Sequence, residues 1–227
     1  AAEMVEANVT VPARLIETVA VAAPYARVVH LGSAGEYGAA SAGRAIDEDA
    51  PCEPASAYGT SKLAGTRLLA AMSADAGIDA VVLRVFNPIG PGAPPSSMAG
   101  RAARLLHDAA RQHPHPEVSM ASLDSHRDWV DARDVGRAVV AAVRAPDAAH
   151  RVYNVGSGRA VPTREVVRLI ACATGFEAPV REDRTPPARS GGVNWQQADI
   201  SRAMRELGWQ PRYTLADSVA ELCRSLR

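Results

Sequence analysis

Residues 27–38 read RVVHLGSAGEYG, an apolar run that ends in Gly-Ser and continues into a glycine-containing stretch. Apolar residues at consecutive positions are typical of a strand buried on both faces of a parallel sheet. The stretch 57–63, AYGTSKL, follows it. It opens a segment that we predict to be a helix from Tyr58 to Ala76, with Gly77 as its C-cap. A buried strand followed by a long helix indicates an α/β fold.

The rest of the chain repeats this alternation of strands and helices. We predict further helices over 1–22, 98–112 and 130–145, two short helices on either side of 208–211, further buried strands over 80–87 and 151–156, and a loop over 177–195. Pro12 is expected to kink the first helix. Thr163 is expected to act as the N-cap of the helix that follows the third strand. The pattern favours a doubly wound parallel sheet.

Composition and charge exclude several classes of protein. The chain has 25 Lys and Arg against 25 Asp and Glu, so no net charge attracts nucleic acid or a membrane surface. The three cysteines are far apart, which fits free thiols better than a disulfide framework. No apolar run reaches the roughly 18 residues of a membrane span, and residues 1–10 do not resemble a signal peptide. We therefore expect a cytoplasmic protein that binds neither nucleic acid nor membrane.

Three histidines are grouped around two prolines in the region between the helix over 98–112 and the next element: His107, His113 and His115. No carboxylate or cysteine has a spacing that would complete a metal site with them. We interpret this stretch as a structural turn and expect no metal.

Tyr58 and Lys62 are four residues apart on the predicted helix, so their side chains share one face. A phenol has a pKa near 10, and its use as a proton donor near neutrality requires roughly 3 units of help, on the order of 4 kcal/mol. An ammonium group about 4.5 Å away supplies roughly that much at an effective dielectric constant near 20. Ser33 ends its strand where open α/β sheets bind ligands, and its hydroxyl can donate to the same carbonyl oxygen. The arrangement suits proton delivery to a carbonyl during hydride transfer.

A Tyr and a Lys at this spacing also occur by chance on many helices, so the flanking sequence carries the functional interpretation. Several segments, in this order, resemble the extended short-chain dehydrogenase/reductases of the NAD-dependent epimerase/dehydratase family: ANV (7–9), LGSAGEYG (31–38), YGTSK (58–62), LRVFNPIGPG (83–92), RDWVDARDVGRA (127–138), YNVGSG (153–158) and ADISRAMRELGWQP (198–211). The resemblance implies a Rossmann-like fold. It also implies that Ser33, Tyr58 and Lys62 are the catalytic triad, and that the backbone of Asn8 helps to hold a proton-relay water. Tyr58 and Lys62 would in addition contact the cofactor, NADP or NAD.

Within this family, the amino-acid sequences of the motifs are most similar to those of the GDP-4-keto-6-deoxy-D-mannose reductases. The resemblance therefore implies reduction of a 4-keto-6-deoxy sugar linked to a nucleotide, with GDP favoured. An NDP-sugar 4-epimerase remains open as an alternative, as does a non-catalytic nucleotide-sugar-binding or partner protein. Ala34 and Gly35 stand where dehydratases of the family carry acidic residues, which disfavours dehydration. Glu36 is expected to miss the substrate, because one step along a strand reverses the face.

Four residues are implied by the resemblance to bind the nucleotide sugar: Asn87, Arg104, Arg127 and Arg189. Arginine suits a diphosphate because its planar group donates two parallel hydrogen bonds. Arg104 is as well explained as a solvated surface charge. The segment after Arg189 lacks the Pro and Asp that the family carries there, so the identity of the sugar stays open.

The resemblance also implies a domain division and a homodimer. Residues 1–90 would form the C-terminal half of the Rossmann-like domain, and 91–227 would be mainly a small α/β substrate-binding subdomain, with 127–160 returning to the sheet. The dimer would use helices 1–22 and 58–76.

A dinucleotide normally places its pyrophosphate at a helix N-terminus, after a first strand and a GxxGxxG turn. No such unit precedes Asn8, and the glycine stretches, including 32–38, match other segments of the family. We therefore expect the N-terminal strands of the fold to be missing from this sequence. Either the sequence is part of a longer enzyme, or it is a short protein that lost dinucleotide binding. In both cases we expect the 227-residue chain alone to bind NAD(P)H weakly and not to turn over.

Overall fold

The computed structural model describes residues 2–114, 116–145, 147–183 and 193–226. The strands are β1 (Val28–Ser33), β2 (Ala80–Val85), β3 (Asn87–Ile89), β4 (Val118–Ala121), β5 (His126–Asp131), β6 (Val152–Val155), β7 (Ala160–Pro162) and β8 (Val180–Asp183). The helices are α1 (Ala2–Val5), α2 (Val11–Ala22), α3 (Ala57–Ala76), α4 (Met98–Ala110), α5 (Ala132–Val143), α6 (Thr163–Thr174), α7 (Ser201–Leu207) and α8 (Leu215–Arg224).

A parallel sheet in the order β1-β2-β6 is packed between helices on both of its faces. On one face, Ile16 of α2 and Leu69 of α3 are buried against Val82. On the other face, α5 and α7 cover Val81 and Leu83, which are fully buried. Burial of each such side chain contributes about 1.5–3 kcal/mol, so the sheet is held from both sides. The predicted α/β fold with a parallel sheet is confirmed.

The remaining elements surround a different core, formed mainly by α4, α6 and α8. Leu106, Ile170 and Leu222 from these three helices are almost completely buried in it. Next to this core, β5 pairs in parallel with β3 and antiparallel with β7, while β4 pairs with β8. The division into a sheet domain and a substrate-binding subdomain stays a prediction.

Pro12 changes the first helix in a way that brings it close to α3. Proline has no N–H, so the carbonyl of Asn8 loses its usual partner four residues on. Residues Glu6–Thr10 form a π-helical turn, in which the N–H of Val11 donates to the carbonyl of Glu6. A β-carbon on Gly65 of α3 would lie only 1.9 Å from the oxygen of Asn8. The interruption therefore sets up a backbone contact that only glycine permits at that position.

The helix predicted over 130–145 begins only at Ala132, because residues His126–Asp131 form strand β5. The strand was missed because it buries charged side chains: Arg127 is 8 % exposed and Asp128 is fully buried. Asp131 caps the helix by accepting from the N–H of Arg133.

Two smaller predictions also need correction. Thr163 is the first helical residue rather than the N-cap, a position that Pro162 occupies, and its hydroxyl donates to the carbonyl of Ser125 at 2.8 Å. The predicted loop over 177–195 contains strand β8, whose register with β4 starts at Val180. Strand β8 is short and mostly exposed, so local composition does not reveal it.

Candidate active site

Ser33 lies at the carboxyl end of β1, the edge at which open α/β sheets bind ligands. Its hydroxyl accepts from the N–H of Gly35 at 3.1 Å, and its own N–H donates to the carboxylate of Glu36 at 2.8 Å. These two bonds form a capping box around the short 3₁₀ turn Ala34–Glu36. The backbone that carries the hydroxyl is therefore fixed.

Tyr58 lies in the first turn of α3, and 45 % of it is exposed. A β-carbon placed on Gly35 would be 3.3 Å from Oγ of Ser33 and 3.7 Å from Cδ1 of Tyr58. A β-carbon on Gly59 would be 2.3 Å from the carbonyl oxygen of Gly35, so α3 packs directly against the 3₁₀ turn. The structure thus brings the serine hydroxyl and the tyrosine ring close to the same glycine.

Lys62 follows one turn later on the same face of α3. Its Nζ donates to the carbonyl of Leu31 at 3.1 Å, which holds the ammonium group at the carboxyl end of β1. Burial lowers the pKa of Lys62, and the charge of Glu36 opposes this effect. The lysine is therefore a partly desolvated cation beside the strand that carries Ser33.

Asn8 is connected to the same helix through a serine. Its Nδ2 donates to Oγ of Ser61 at 3.0 Å, and that hydroxyl donates to the carbonyl of Tyr58 at 2.8 Å. The backbone oxygen of Asn8 lies against Gly65 one turn further on. All four residues of the predicted catalytic set are therefore gathered around β1 and the first turns of α3.

Glu36 does not point to solvent or to the space beside Gly35. Its side chain is fully buried and forms an ion pair with Arg84 at 3.0 Å. The expectation that it misses the substrate rested on a strand-like geometry, and that reason was wrong, because residues Ala34–Glu36 form a helical turn.

The predicted substrate-binding residues lie around β3, β5 and α4. Asn87 opens β3 and donates to the carbonyl of Asp128 at 2.9 Å. Arg127 of β5 donates to the carbonyls of His126 and Val193. Among the described residues, no carboxylate lies within ion-pair distance of Arg127, and burial lowers its pKa.

Arg104 is not joined to this group by a described hydrogen bond. Arg104 donates to the carbonyl of Ala93 at 3.2 Å and is half-buried. No described hydrogen bond joins it to Asn87 or Arg127. Arg189 lies outside the described residues.

Sequence reasoning missed two residues that organise the site. Gln196 is buried, and its amide donates to the carbonyl of Ala34 at 3.1 Å, directly beside Ser33. Asp128 accepts from the N–H groups of Ser157, Gly158 and Ala198 and from the Ser157 hydroxyl. The RDW motif carries a signal for Asp128, whereas no pattern in the sequence singles out Gln196.

The spacing GxxGxxG does occur at Gly32, Gly35 and Gly38, and the structure shows that it is not a phosphate-binding turn. The residues that follow form a three-residue turn and a loop instead of a long helix. A β-carbon on Gly32 would be 2.6 Å from Oε1 of Glu36, and one on Gly38, whose φ is +77°, would be 1.8 Å from the carbonyl oxygen of Glu53. These two glycines make room for protein atoms.

The described residues therefore fit only one end of a nicotinamide dinucleotide. The expectation that Tyr58 and Lys62 contact its reacting end stays a prediction. None of the described strand–turn–helix units combines a GxxGxxG turn with a long helix that would hold the pyrophosphate.

The described residues offer neither a metal site nor a membrane-spanning helix. No group of three His, Cys, Asp or Glu side chains there is arranged to hold a metal ion, and His115 is not among the described residues. No described helix is both long and apolar enough to cross a bilayer.

A serine at the end of a parallel strand, with a tyrosine and a lysine on the next helix, defines a class of α/β oxidoreductases that act on carbonyl groups. A family model described as the NAD dependent epimerase/dehydratase family matches residues 1–156. The chain belongs to this family of NAD(P)-dependent enzymes, which dehydrate, reduce or epimerise nucleotide-linked sugars. The resemblance seen in the sequence is confirmed.

Similar proteins cover most of this chain. It is 38 % identical to dTDP-6-deoxy-L-talose 4-dehydrogenase (NAD(P)(+)) from Kitasatospora kifunensis over 97 % of the chain and 69 % of that protein. It is 32 % identical to UDP-glucose 4-epimerase from Mycolicibacterium smegmatis over 97 % of the chain and 68 % of that protein. Identity to GDP-6-deoxy-D-mannose reductase from Pseudomonas aeruginosa is 29 %, over 84 % of the chain and 62 % of that protein.

Solved structures share the fold. MoeE5 in complex with UDP-glucuronic acid and NAD superposes with a TM-score of 0.83 at 31 % identity, covering 97 % of this chain and 71 % of that one. RMD from Pseudomonas aeruginosa complexed with NADPH superposes with a TM-score of 0.87 at 25 % identity, covering 97 % and 72 %. One neighbour thus holds NAD and the other NADPH.

Proposed function

We propose that this chain carries the catalytic and substrate-binding residues of an NAD(P)-dependent enzyme that reduces the C4 ketone of a nucleotide-linked 6-deoxyhexose. The observation that supports this most is the closeness of the Ser33 hydroxyl and the Tyr58 ring, which both lie beside Gly35. A side chain at Gly35 would already touch Ser33, Tyr58 and α3, so glycine at this position lets the two groups approach each other.

In the proposed reaction, Tyr58 gives its phenolic proton to the C4 oxygen as negative charge develops on it. The Ser33 hydroxyl donates a hydrogen bond to the same oxygen, and the ammonium group of Lys62 favours loss of the tyrosine proton. The chemistry that a bound nicotinamide supplies is hydride transfer to C4. Asn8 supports the helix that carries Tyr58 through Ser61.

The names of two relatives favour a 6-deoxyhexose as the sugar. One is a dTDP-6-deoxy-L-talose 4-dehydrogenase and the other a GDP-6-deoxy-D-mannose reductase, and both names join an oxidoreductase to a nucleotide-linked 6-deoxyhexose. The residues of the sequence motifs favour GDP as the nucleotide. The relative with the higher sequence identity has dTDP in its name instead. We propose that dTDP and GDP sugars are the two to be compared first. Dehydration is disfavoured because Ala34 and Gly35 have no acidic group.

Arg127 is the residue that we propose for the diphosphate. It is a buried cation without a carboxylate partner among the described residues, and its fork suits a phosphate oxygen pair. Asn87, on the neighbouring strand, would contact the sugar or a phosphate. Arg104 and Arg189 remain proposed contacts of the nucleotide.

A 4-epimerase is the second candidate, because the chain is 32 % identical to a UDP-glucose 4-epimerase. Reductase and epimerase use the same proton donor. They differ in whether the cofactor is consumed. A non-catalytic role as a nucleotide-sugar-binding or partner protein is the third candidate.

The test uses the protein expressed from its complete reading frame, with dTDP-, GDP- and UDP-linked 4-keto-6-deoxyhexoses and with UDP-glucose, each with NADH or NADPH. A reductase consumes one equivalent of reduced cofactor per sugar converted, and an epimerase consumes none. Nucleotide-sugar binding without any conversion would support the non-catalytic role and overturn the proposal. The 227-residue chain tested separately by calorimetry should bind NAD(P)H more weakly than micromolar, and micromolar binding would contradict that expectation.

We further propose that the protein dimerises through helices 1–22 and 58–76. Val11 and Leu15 on α2 and Leu68 on α3 are exposed apolar side chains, between 37 % and 52 % exposed. Leu15→Lys should shift the mass measured by analytical ultracentrifugation from dimer to monomer, whereas Val143→Lys, on the exposed face of α5, should not.

A further inference from the structure

The carboxylate of Glu36 joins three elements that meet at the proposed active site. Its Oε1 accepts from the N–H of Ser33 at 2.8 Å and from the hydroxyl of Thr66 at 3.1 Å. Its Oε2 accepts from Nε of Arg84 at 3.0 Å. The end of β1, the middle of α3 and strand β2 are thus held by one side chain.

This carboxylate is completely removed from water. Glu36 is fully buried, and Thr66 and Arg84 are 4 % and 6 % exposed. The packing is tight, because a β-carbon on Gly32 would come within 2.6 Å of Oε1. A buried carboxylate is costly unless its oxygens are well paired, so its three partners are effectively obligatory.

We propose that Glu36 is a positioning residue, which holds the Ser33 hydroxyl in line with Tyr58 by binding the Ser33 backbone and the Thr66 hydroxyl at the same time. The inference rests on the proposed function, since it assigns Glu36 a part in that same reaction. Glu36 touches neither substrate nor cofactor and acts through Ser33 and α3.

Electrostatics adds to the geometric link. Burial lowers the pKa of Lys62, and the negative charge of Glu36 works against that lowering. The same carboxylate therefore fixes Ser33 and favours the charged form of the lysine.

A simpler role for Glu36 is that of counter-ion for Arg84, and two double variants separate the roles. Glu36→Gln with Arg84→Met removes the buried ion pair but keeps an amide oxygen that can accept from Ser33 and Thr66. Glu36→Met with Arg84→Met removes the ion pair and the acceptor. A positioning role predicts that the Gln/Met variant keeps kcat within about threefold, while the Met/Met variant loses roughly tenfold or more at unchanged KM. Equal kcat values in the two variants would overturn the proposal.

A milder pair of variants covers the case in which a double variant does not fold. Thr66→Val is nearly isosteric and removes only the hydroxyl that connects Glu36 to α3. Ser73→Ala, on the same helix, removes a buried hydroxyl that has no described partner. We expect Thr66→Val to lower kcat by about threefold to tenfold without raising KM, and Ser73→Ala to leave it unchanged. Equal values for both variants would contradict the proposal.

Hydrogen exchange of the Ser33 amide, measured by NMR on the 227-residue chain, provides a test that does not depend on turnover. Exchange should be about tenfold faster in Glu36→Met/Arg84→Met than in Glu36→Gln/Arg84→Met. Unchanged exchange would show that Glu36 does not hold Ser33. If wild-type protein converts no nucleotide sugar but the exchange result is as expected, the proposed function fails while the hold of Glu36 on Ser33 stands.

Discussion

Two buried arginines, Arg84 on β2 and Arg127 on β5, have surroundings that differ in one respect. Arg84 is 6 % exposed and has an anion, because its Nε donates to Glu36 and its guanidinium lies 4.6 Å from the ring centroid of Tyr37. Arg127 is 8 % exposed and has only backbone carbonyls of His126 and Val193 as described partners. Arg84 is neutralised by a carboxylate of the protein, whereas no carboxylate among the described residues is paired with Arg127.

The pKa values of the two arginines are shifted in opposite directions by these different surroundings. Burial would lower the pKa of Arg84, but the hydroxyl of Tyr37 and the carboxylate of Glu36 outweigh burial and raise it. Burial alone acts on Arg127 and lowers its pKa. A buried cation without a counter-ion costs stability, so its presence is best explained by an anionic ligand. Arg84 is therefore part of the packed architecture, whereas binding of an anionic ligand by Arg127 stays a prediction.

The largest expected effect on stability is that of Arg84→Met. Removing the cation leaves the Glu36 carboxylate buried and unpaired, so the free energy of unfolding should fall by about 3–5 kcal/mol. Urea denaturation measures this. Arg168→Met, which removes an exposed ion pair with Glu165, is the matched control and should cause no measurable change. If Arg84→Met and Arg168→Met were equally stable, Arg84 would not be a buried structural cation, and the contrast with Arg127 would be lost.

Arg127→Met should have the opposite effect to Arg84→Met: it should weaken nucleotide binding and leave the stability of the fold intact. Loss of charge-assisted hydrogen bonds to a diphosphate should weaken nucleotide binding by about tenfold to a hundredfold. Stability should stay equal or rise slightly, because no buried carboxylate loses its partner. Calorimetry with dTDP, GDP and UDP measures the affinity. Unchanged affinity combined with a large loss of stability would make Arg127 a structural residue like Arg84.

His30 is a half-buried basic side chain, and unlike the two arginines it can become neutral by losing its proton. Burial, and next the charge of Lys62, lower its pKa from 6.5 to about 4, and its Nε2 has no described partner. Below pH 6.5 the unfolded chain therefore binds a proton that the folded chain refuses, and stability falls as the pH drops from 6.5 toward 4.

His30→Leu should remove this part of the pH dependence, which we expect to be on the order of 1–2 kcal/mol because the side chain is partly exposed. Urea denaturation of both proteins across this pH range measures the difference. A constant difference between wild type and variant would show that His30 titrates normally in the fold.

These residues also show what sequence reasoning can and cannot reach. Ser33, Tyr58 and Lys62 were found because strand ends and helix spacing are local properties of the sequence. Strand β5 was missed because Arg127 and Asp128 make it look solvent-exposed, whereas four hydrogen bonds to Asp128 pay for its burial.

The roles of Glu36 and Gln196 could not be predicted because their hydrogen-bond partners are distant in the sequence. The link from Glu36 to Arg84 spans 48 positions, and that from Gln196 to Ala34 spans 162. The residues next to Glu36 and Gln196 in the sequence contain no pattern that predicts these distant partners. Reading Glu36 as part of a strand assigned it the wrong geometry, since the capping box at Ser33 folds the chain into a turn there.

The central claim is that Tyr58 delivers the proton to a sugar ketone, and Tyr58→Phe tests it most directly. In protein from the complete reading frame, kcat for reduction should fall by about 10²–10⁴-fold, because the ring remains and only the proton donor is lost. Affinity for the nucleotide sugar should not change. Tyr213→Phe, whose ring stacks on Arg133, is the control and should keep full activity. A Tyr58→Phe enzyme with wild-type kcat would contradict the account.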